Sequence, residues 1–329
     1  MLLRQLRFVC AQPATKYYAW QVEVMINNFI EMGVNPNFID IVCWKQNGLI
    51  PEEWEQLRNH YNYVRFFFYD DTRSTKHYIS SIRPNILKQH WAAYPELENE
   101  VIFYHDCDIV FSKPISEWIT PEMMEDDNWY GSDTRWYIAH SYIMGKGEDV
   151  LDKMCEIVDI PKQMVEQNEE NAIGAQYFMK GIDYRFWDNV ERDSENLFRD
   201  ITALNNQKKQ IDPSYHELQI WCADMWAVLW NGWKMGAQTI CHPNFEFSWG
   251  TSTEDDYNKL NIMHNAGVTG PNYGLFYKAE YMNGYPYFKD LKINDNSASK
   301  KYYEWIQKTE KKTCLLSTEQ PMVAKIALS

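Results

Sequence analysis

The sequence predicts an α/β fold, and three observations carry the expectation. From the start to about Phe111, short β-rich runs alternate with amphipathic helical ones. The apolar run over 101–111 is broken at its centre by two carboxylates, Asp106 and Asp108, one residue apart. Beyond Phe111 the alternation loosens into long helical stretches and then into a segment over 241–287 rich in Gly, Asn, Pro and aromatic residues. Such a segment builds sites rather than linking domains.

In order along the chain, residues 6–12 read as the first strand and about 17–32 as a helix that Gly33 stops. Residues 38–44 read as a second strand, and Pro51 opens a helix through about Tyr61, as proline does in a first turn. Residues 64–69 form the third strand, ending in Asp70 and Asp71, and a helix over about 81–94 precedes the strand that carries the acid pair. This layout is Rossmann-like, and parallel strands joined by helices bind ligands beyond their carboxyl ends, where Asp70, Asp71, Asp106 and Asp108 all fall. Further on, 133–144 and 172–180 read as strands, and 183–206 and 216–233 as long helices.

The chain has 329 residues, enough to bury a substantial core. Its net charge of −14, from 46 acidic and 32 basic residues, disfavours a broad nucleic-acid surface, because phosphate binding draws on clustered Lys and Arg. The basic cluster of Lys300, Lys301, Lys308, Lys311 and Lys312 reads as a solvated helix face. With 14 Trp and 22 Tyr, aromatic side chains exceed the needs of a core, and some are expected to line a pocket. Seven Cys without CxxC pairs fit neither a disulfide framework nor a zinc site and point to a reducing compartment. No apolar stretch is long enough to span a bilayer, so a soluble, cytoplasmic protein is expected.

Two carboxylates at i and i+2 at the mouth of a strand point the same way and suit Mg²⁺ or Mn²⁺, which bridges carboxylates to substrate phosphates. Asp106 and Asp108 also fit a turn that ends a buried strand. In 171–181, Gly174 lets a ligand approach the backbone and Gln176 offers an amide to sugar hydroxyls; a core strand with a bulge at Gly174 fits as well. On the aromatic stretch over 216–230, Glu217 and Asp224 are seven residues apart, about two turns of one helix side at roughly 3.6 residues per turn. They read as acids that orient an acceptor or stabilise an oxocarbenium-like centre, or as helix acids paired with Arg or Lys. Arg83 suits a diphosphate, and Ser80 and Ser81 suit a ribose or a helix cap. Phosphate loops, dinucleotide glycine motifs, nucleophile elbows and HExxH helices are all absent from the sequence, which leaves nucleotide binding through a metal.

The apolar strand, Asp-x-Asp and second apolar stretch resemble those of metal-dependent nucleotide-sugar glycosyltransferases. The ordered set from Arg83-Pro84 through Asp106-Cys107-Asp108 and Gly174-Ala175-Gln176 to Asp224 and His264 is similar to a GT-A glycosyltransferase. The resemblance implies a mixed sheet flanked by helices with a helical and loop-rich C-terminal part. It also implies a catalytic domain over 1–290, with a nucleotide-binding half 1–111 and a donor and acceptor half 112–290, followed by an extension over 291–329. It implies that His264 completes the metal site of Asp106 and Asp108, with Mn²⁺ favoured by an imidazole beside two carboxylates. Gln12, Pro13 and Ala14 would then rest against the base, Asp70 against the uracil or ribose edge, Ser80, Arg83 and Asp106 against the nucleotide, and Gly174 and Gln176 against the donor sugar. The aromatic acid-bearing stretch and Phe245-Glu246-Phe247-Ser248-Trp249-Gly250-Thr251 are similar to plant-type hydroxyproline O-arabinosyltransferases and peptidyl-serine galactosyltransferases. That narrower likeness implies a UDP-sugar donor and retention; those relatives are usually membrane-anchored, so their peptide acceptors are not carried over.

The expected function is transfer of a sugar from a nucleotide diphosphate, UDP, to an acceptor hydroxyl. The alternatives are a non-catalytic nucleotide-sugar binding protein and a nucleotidyltransferase, whose glycine- and lysine-rich first loop is missing because residues 12–16 contain no Gly. Protein, glycan, small-molecule and modified-nucleobase acceptors all fit the sequence.

Overall fold

A computed structural model describes residues 4–271 and 274–315. Its strands are β1 (Leu6–Pro13), β2 (Ile39–Trp44), β3 (Arg65–Tyr69), β4 (Val101–Tyr104), β5 (Ile109–Phe111), β6 (Trp129–Asp133), β7 (Ile173–Lys180), β8 (Thr239–Cys241), β9 (Phe247–Trp249) and β10 (Ile262–His264). Seven of them form a mixed sheet in the order β3-β2-β1-β4-β7-β6-β8, and the other three form a small sheet in the order β5-β10-β9. Strand β7 alone runs against its neighbours β4 and β6, so the carboxyl ends of β1 to β4, β6 and β8 lie along one edge. The expected mixed α/β sheet flanked by helices is what the chain forms.

Both faces of the large sheet are covered, and strand side chains alternate between two cores. Phe8, Cys10, Ile41, Val101 and Phe103 enter the core beneath helix Lys16–Glu31. Val9, Ala11, Val42, Ile102 and Tyr104 enter the core shared with helices Ile82–Ala93 and Tyr184–Ile211. The Asp183 side chain starts the latter helix by accepting from the N–H groups of Arg185 and Phe186 at 2.9 and 3.0 Å. Helix Ala298–Glu310 sends Tyr302, Trp305 and Ile306 into the first core. Close by, the buried Glu23 carboxylate accepts from Tyr287 Oη at 2.6 Å, Thr313 Oγ1 at 2.6 Å, Cys314 N at 3.0 Å and Tyr61 Oη at 3.3 Å. The last described residues are thereby tied to the first helix.

Two expected elements differ. The strand expected over 133–144 ends at its first residue and gives way to the short helices Arg135–Ile138 and His140–Met144. The Asp133 carboxylate accepts the Arg135 N–H at 3.0 Å, an Asx turn that bends the chain out of the sheet. The helix expected over 216–233 starts only at Ala223, after the 3₁₀ turn Ile220–Cys222. Upstream of it, the Asn205 amide donates to Leu218 O at 3.1 Å and accepts from Leu218 N at 3.3 Å. Both backbone groups of Leu218 are thus taken by a side chain, which removes the bonds a helix there would use.

Candidate active site

Asp106 and Asp108 occupy the turn that leaves the large sheet after β4 and enters the small one at β5. Their convergence therefore comes from a change of sheet rather than from strand alternation. Strand β10 runs antiparallel to β5 with His264 opposite Ile109, and Asn265 N donates to Asp108 O at 2.9 Å. This pairing carries His264 Nε2 to 3.2 Å from Asp108 Oδ1 and 3.6 Å from Asp106 Oδ2. One ligand atom from each of the three side chains lies within 4.8 Å of the others. The imidazole plane is set by Trp249, whose ring stacks on it at 6.3 Å between centroids. Two hard carboxylates and one imidazole form a donor set that suits a divalent cation such as Mn²⁺ or Mg²⁺.

Cations of the chain itself surround these acids. Lys278, at the start of the 3₁₀ turn Lys278–Tyr281, is bonded to Asp108. Burial alone would raise the Asp108 pKa, but Lys278 and His264 outweigh it and hold the carboxyl well below its usual range. Burial would likewise lower the His264 pKa, and Asp108 and Asp106 reverse it, so the imidazole is raised. Arg83, in the first turn of helix Ile82–Ala93, forks between two acids, with Nη1 on Asp106 and Nη2 at 2.8 Å from Asp224 Oδ2. Asp224 opens helix Ala223–Lys234 and also accepts the Tyr78 hydroxyl at 2.8 Å. Tyr78 is fixed in turn by Glu195, whose carboxylate takes the N–H groups of His77 and Tyr78 at 2.7 and 3.3 Å.

The structure thus brings Asp106, Asp108, His264, Arg83 and Asp224 together. Glu217 is not among them: it is half-exposed, lies outside the helix that carries Asp224, and sits 3.3 Å from Lys209. The expectation of two acids on one helix side fails because that helix begins six residues later than residue 217. Gln12 is buried, with Nε2 on Val42 O at 3.2 Å; Ala14 is buried after it, and Pro13 is partly exposed. Asp70 is exposed and pairs with Lys45 at 2.9 Å, while Ser80 is partly exposed beside Tyr78. Gln176 is buried in a bulge of β7 opposite Gly131 and Ser132, and its amide donates to Phe245 O at 2.7 Å. The bulge puts Ala175 at φ 62°, and a side chain on Gly174 would stand 2.5 Å from Met225 Cε. Lys278 and Tyr78 escaped the sequence reading. Neither lies in a periodic segment, and the Lys278 loop is held near Asp108 by contacts distant in sequence, with Phe276 and Tyr281 packed on Trp20 and Phe276 N donating to Ser299 Oγ at 3.2 Å. A separate cavity of about 420 Å³, lined by Arg4, Glu100 and Lys180 among others, opens at the opposite edge of the sheet.

No protein-family model matches the chain, and no curated protein matches it. Among solved structures, the chain is similar to the bifunctional glycosyltransferase WbbM, at 10% identity and a TM-score of 0.43 over 92% of this chain and 52% of that one. The match thus spans about half of WbbM. A glycosyltransferase involved in glycosylation of the major capsid of PBCV-1 matches at 11% identity and a TM-score of 0.40, covering 84% of this chain and 96% of that one. The galactosyltransferase LgtC, in complex with donor and acceptor sugar analogs, matches at 12% identity and a TM-score of 0.40, covering 91% and 95%. None of these three is a hydroxyproline O-arabinosyltransferase or a peptidyl-serine galactosyltransferase. At such distances, the functional argument rests on the residues of the site itself.

Proposed function

We propose that the protein is a metal-dependent glycosyltransferase that moves a sugar from a nucleotide diphosphate, UDP, to an acceptor hydroxyl. The observation that carries the reading is the meeting of Asp106, Asp108 and His264 at the carboxyl edge of the sheet, ringed by Arg83, Lys278 and Asp224. Asp106, Asp108 and His264 would hold Mn²⁺ or Mg²⁺, which neutralises charge on the departing diphosphate. Arg83 and Lys278, paired here with these acids, carry their charges on long stems that would turn from carboxylates to phosphate oxygens as a donor enters. Asp224 stands on the reacting side, where its carboxylate positions a hydroxyl or steadies positive charge at the sugar carbon. Gln12, Pro13, Ala14, Asp70 and Ser80 border the edge assigned to the nucleoside, and Gly174 and Gln176 the wall behind the sugar.

The test is calorimetric titration of UDP with and without Mn²⁺, followed by a screen of UDP- and GDP-sugars for hydrolysis. UDP binding that requires Mn²⁺, with release of UDP from one sugar donor, is the expected result. Binding without turnover of any donor would favour a non-catalytic nucleotide-sugar binding protein, and release of pyrophosphate a nucleotidyltransferase. Indifference of UDP binding to Mn²⁺ would overturn the reading.

A further inference from the structure

We infer that Glu246 is a specificity-determining residue for the transferred sugar, its carboxylate accepting a hydrogen bond from a hydroxyl of a donor hexose. The inference rests on the glycosyl-transfer reading above and adds to it a residue that reads the sugar rather than the nucleotide.

Position comes first. Glu246 follows the turn Pro243–Phe245 between β8 and β9, and its Oε1 accepts the Asp133 N–H at 2.7 Å. The carboxylate therefore sits at the carboxyl end of β6, on the edge that carries Asp106. Strand β6 is separated from β4 by β7 alone, so Glu246 lies about two strand spacings, roughly 10 Å, from the end of β4, beyond which the acid pair stands. It lies on the side away from β1, β2 and β3, where the nucleoside is assigned. On the glycosyl-transfer reading, a hexose linked to a diphosphate at Asp106 and Asp108 would reach over that interval and turn its far hydroxyls towards Glu246.

The second observation is rigidity. The turn that presents Glu246 is braced from three directions: Gln176 Nε2 donates to Phe245 O at 2.7 Å, Asn244 Nδ2 to Trp118 O at 2.6 Å, and Asn261 Nδ2 to Asn244 O at 3.0 Å. The Phe245 ring is fully buried beneath it. A group held this way keeps its direction without a ligand, which favours discrimination between hydroxyl positions.

The third is charge. Asp106, Asp108 and Asp224 are each bonded to Arg83 or Lys278, and Asp133 is gripped by Arg135 at 2.7 and 2.9 Å. Glu246 has no cationic partner among the described residues, and its Oε2 accepts no hydrogen bond there. The nearby Arg135 already spends its fork on Asp133 and Glu170. Half-buried and unpaired, Glu246 has its pKa raised by burial. An acceptor-only group with one oxygen committed and one free suits a sugar hydroxyl, and its negative charge suits the sugar end of the donor better than the diphosphate.

The experiment measures Mn²⁺-dependent binding of UDP, UDP-glucose and UDP-galactose, and the kcat/KM ratio of the two sugars in hydrolysis, for the wild type, Glu246→Ala and Glu246→Gln. UDP affinity is expected to stay within about twofold, while Glu246→Ala loses about tenfold for the preferred UDP-hexose and flattens the kcat/KM ratio. Glu246→Gln, which keeps an acceptor oxygen at the same reach, restores part of both and serves as the folded probe if the alanine variant is unstable. Unchanged UDP-hexose binding and ratio, or an equal loss for UDP and the UDP-hexoses, would overturn the assignment of Glu246. Failure of the wild type to bind UDP with Mn²⁺ would instead remove the glycosyl-transfer reading and this inference with it.

Discussion

Arg83 Nη2 lies 2.8 Å from Asp224 Oδ2 while Nη1 of the same guanidinium holds Asp106, so one side chain ties the acid of helix Ala223–Lys234 to the acid pair after β4. In the absence of donor this fork competes with any divalent cation for Asp106. Arg83→Met is therefore expected to tighten Mn²⁺ binding without nucleotide by about tenfold, by removing a fixed positive charge. Donor turnover in the same variant should fall by about a hundredfold or more, because the diphosphate loses a charge-assisted donor. Spin-resonance titration of Mn²⁺ and a UDP-release assay read the two effects separately.

Asp108 and Lys278 depend on each other. Asp108→Ala leaves a largely buried ammonium without a partner and removes a metal ligand, so both metal-dependent UDP binding and stability should drop. The Lys278 side chain is 25% exposed, which places the stability loss nearer about 1–3 kcal/mol than the full cost of breaking a buried pair. Adding Lys278→Met to Asp108→Ala should recover most of the stability and none of the Mn²⁺ dependence. Denaturant melts and calorimetry on the single and double variants check this.

The Tyr78 hydroxyl is shared between Asp224 and the backbone carbonyl of Trp221, which lies 2.5 Å away. The same hydroxyl is 2.8 Å from Asp224 Oδ1, and Glu195 fixes the backbone that carries it. Tyr78→Phe should cost about 1 kcal/mol of stability and, on the proposed function, lower turnover about tenfold with UDP affinity unchanged. A fall in UDP affinity equal to the fall in kcat would contradict a role confined to Asp224.

The pH dependence of stability should carry the mark of His90. His90 is fully buried, with Nε2 at 3.1 Å from Asp40 and Nδ1 at 3.0 Å from the Tyr69 hydroxyl. Asp40 is already met by Arg7 and Arg65 at 3.1 and 3.2 Å. Burial lowers the His90 pKa and outweighs Asp40, so the folded state holds this ring neutral. As pH falls below about 6.5, the unfolded chain takes up the proton first, and stability declines through the window down to the lowered folded value. Urea midpoints at pH 7.5 and 5.5 should separate more in the wild type than in His90→Gln.

The first half of the fold was legible because β1 to β4 and their helices repeat a local pattern, and burial follows that pattern strand by strand. The acid pair and His264 were also legible as residue types in order. Their meeting was not derivable locally, since it depends on the chain leaving the large sheet after β4 and on β5 pairing with β10 in the small one. The two misread segments fail for one reason. Over 133–144 an Asp133 side chain, and over 216–219 an Asn205 side chain, takes up backbone groups that regular structure would have used. Such side-chain competition leaves no mark in hydrophobic periodicity. Lys278 sits in a segment without period, and its role shows only through the contact it makes.

Glu23 joins segments that lie far apart in the sequence. Three of its four oxygen and nitrogen donors, on Tyr287, Thr313 and Cys314, lie 264 to 291 residues further along the chain than the acid itself. Without Thr313 and Cys314, that carboxylate would keep only Tyr61 and Tyr287 of the four. The ground beneath the first strands is thus completed by side chains drawn from the far end of the described chain.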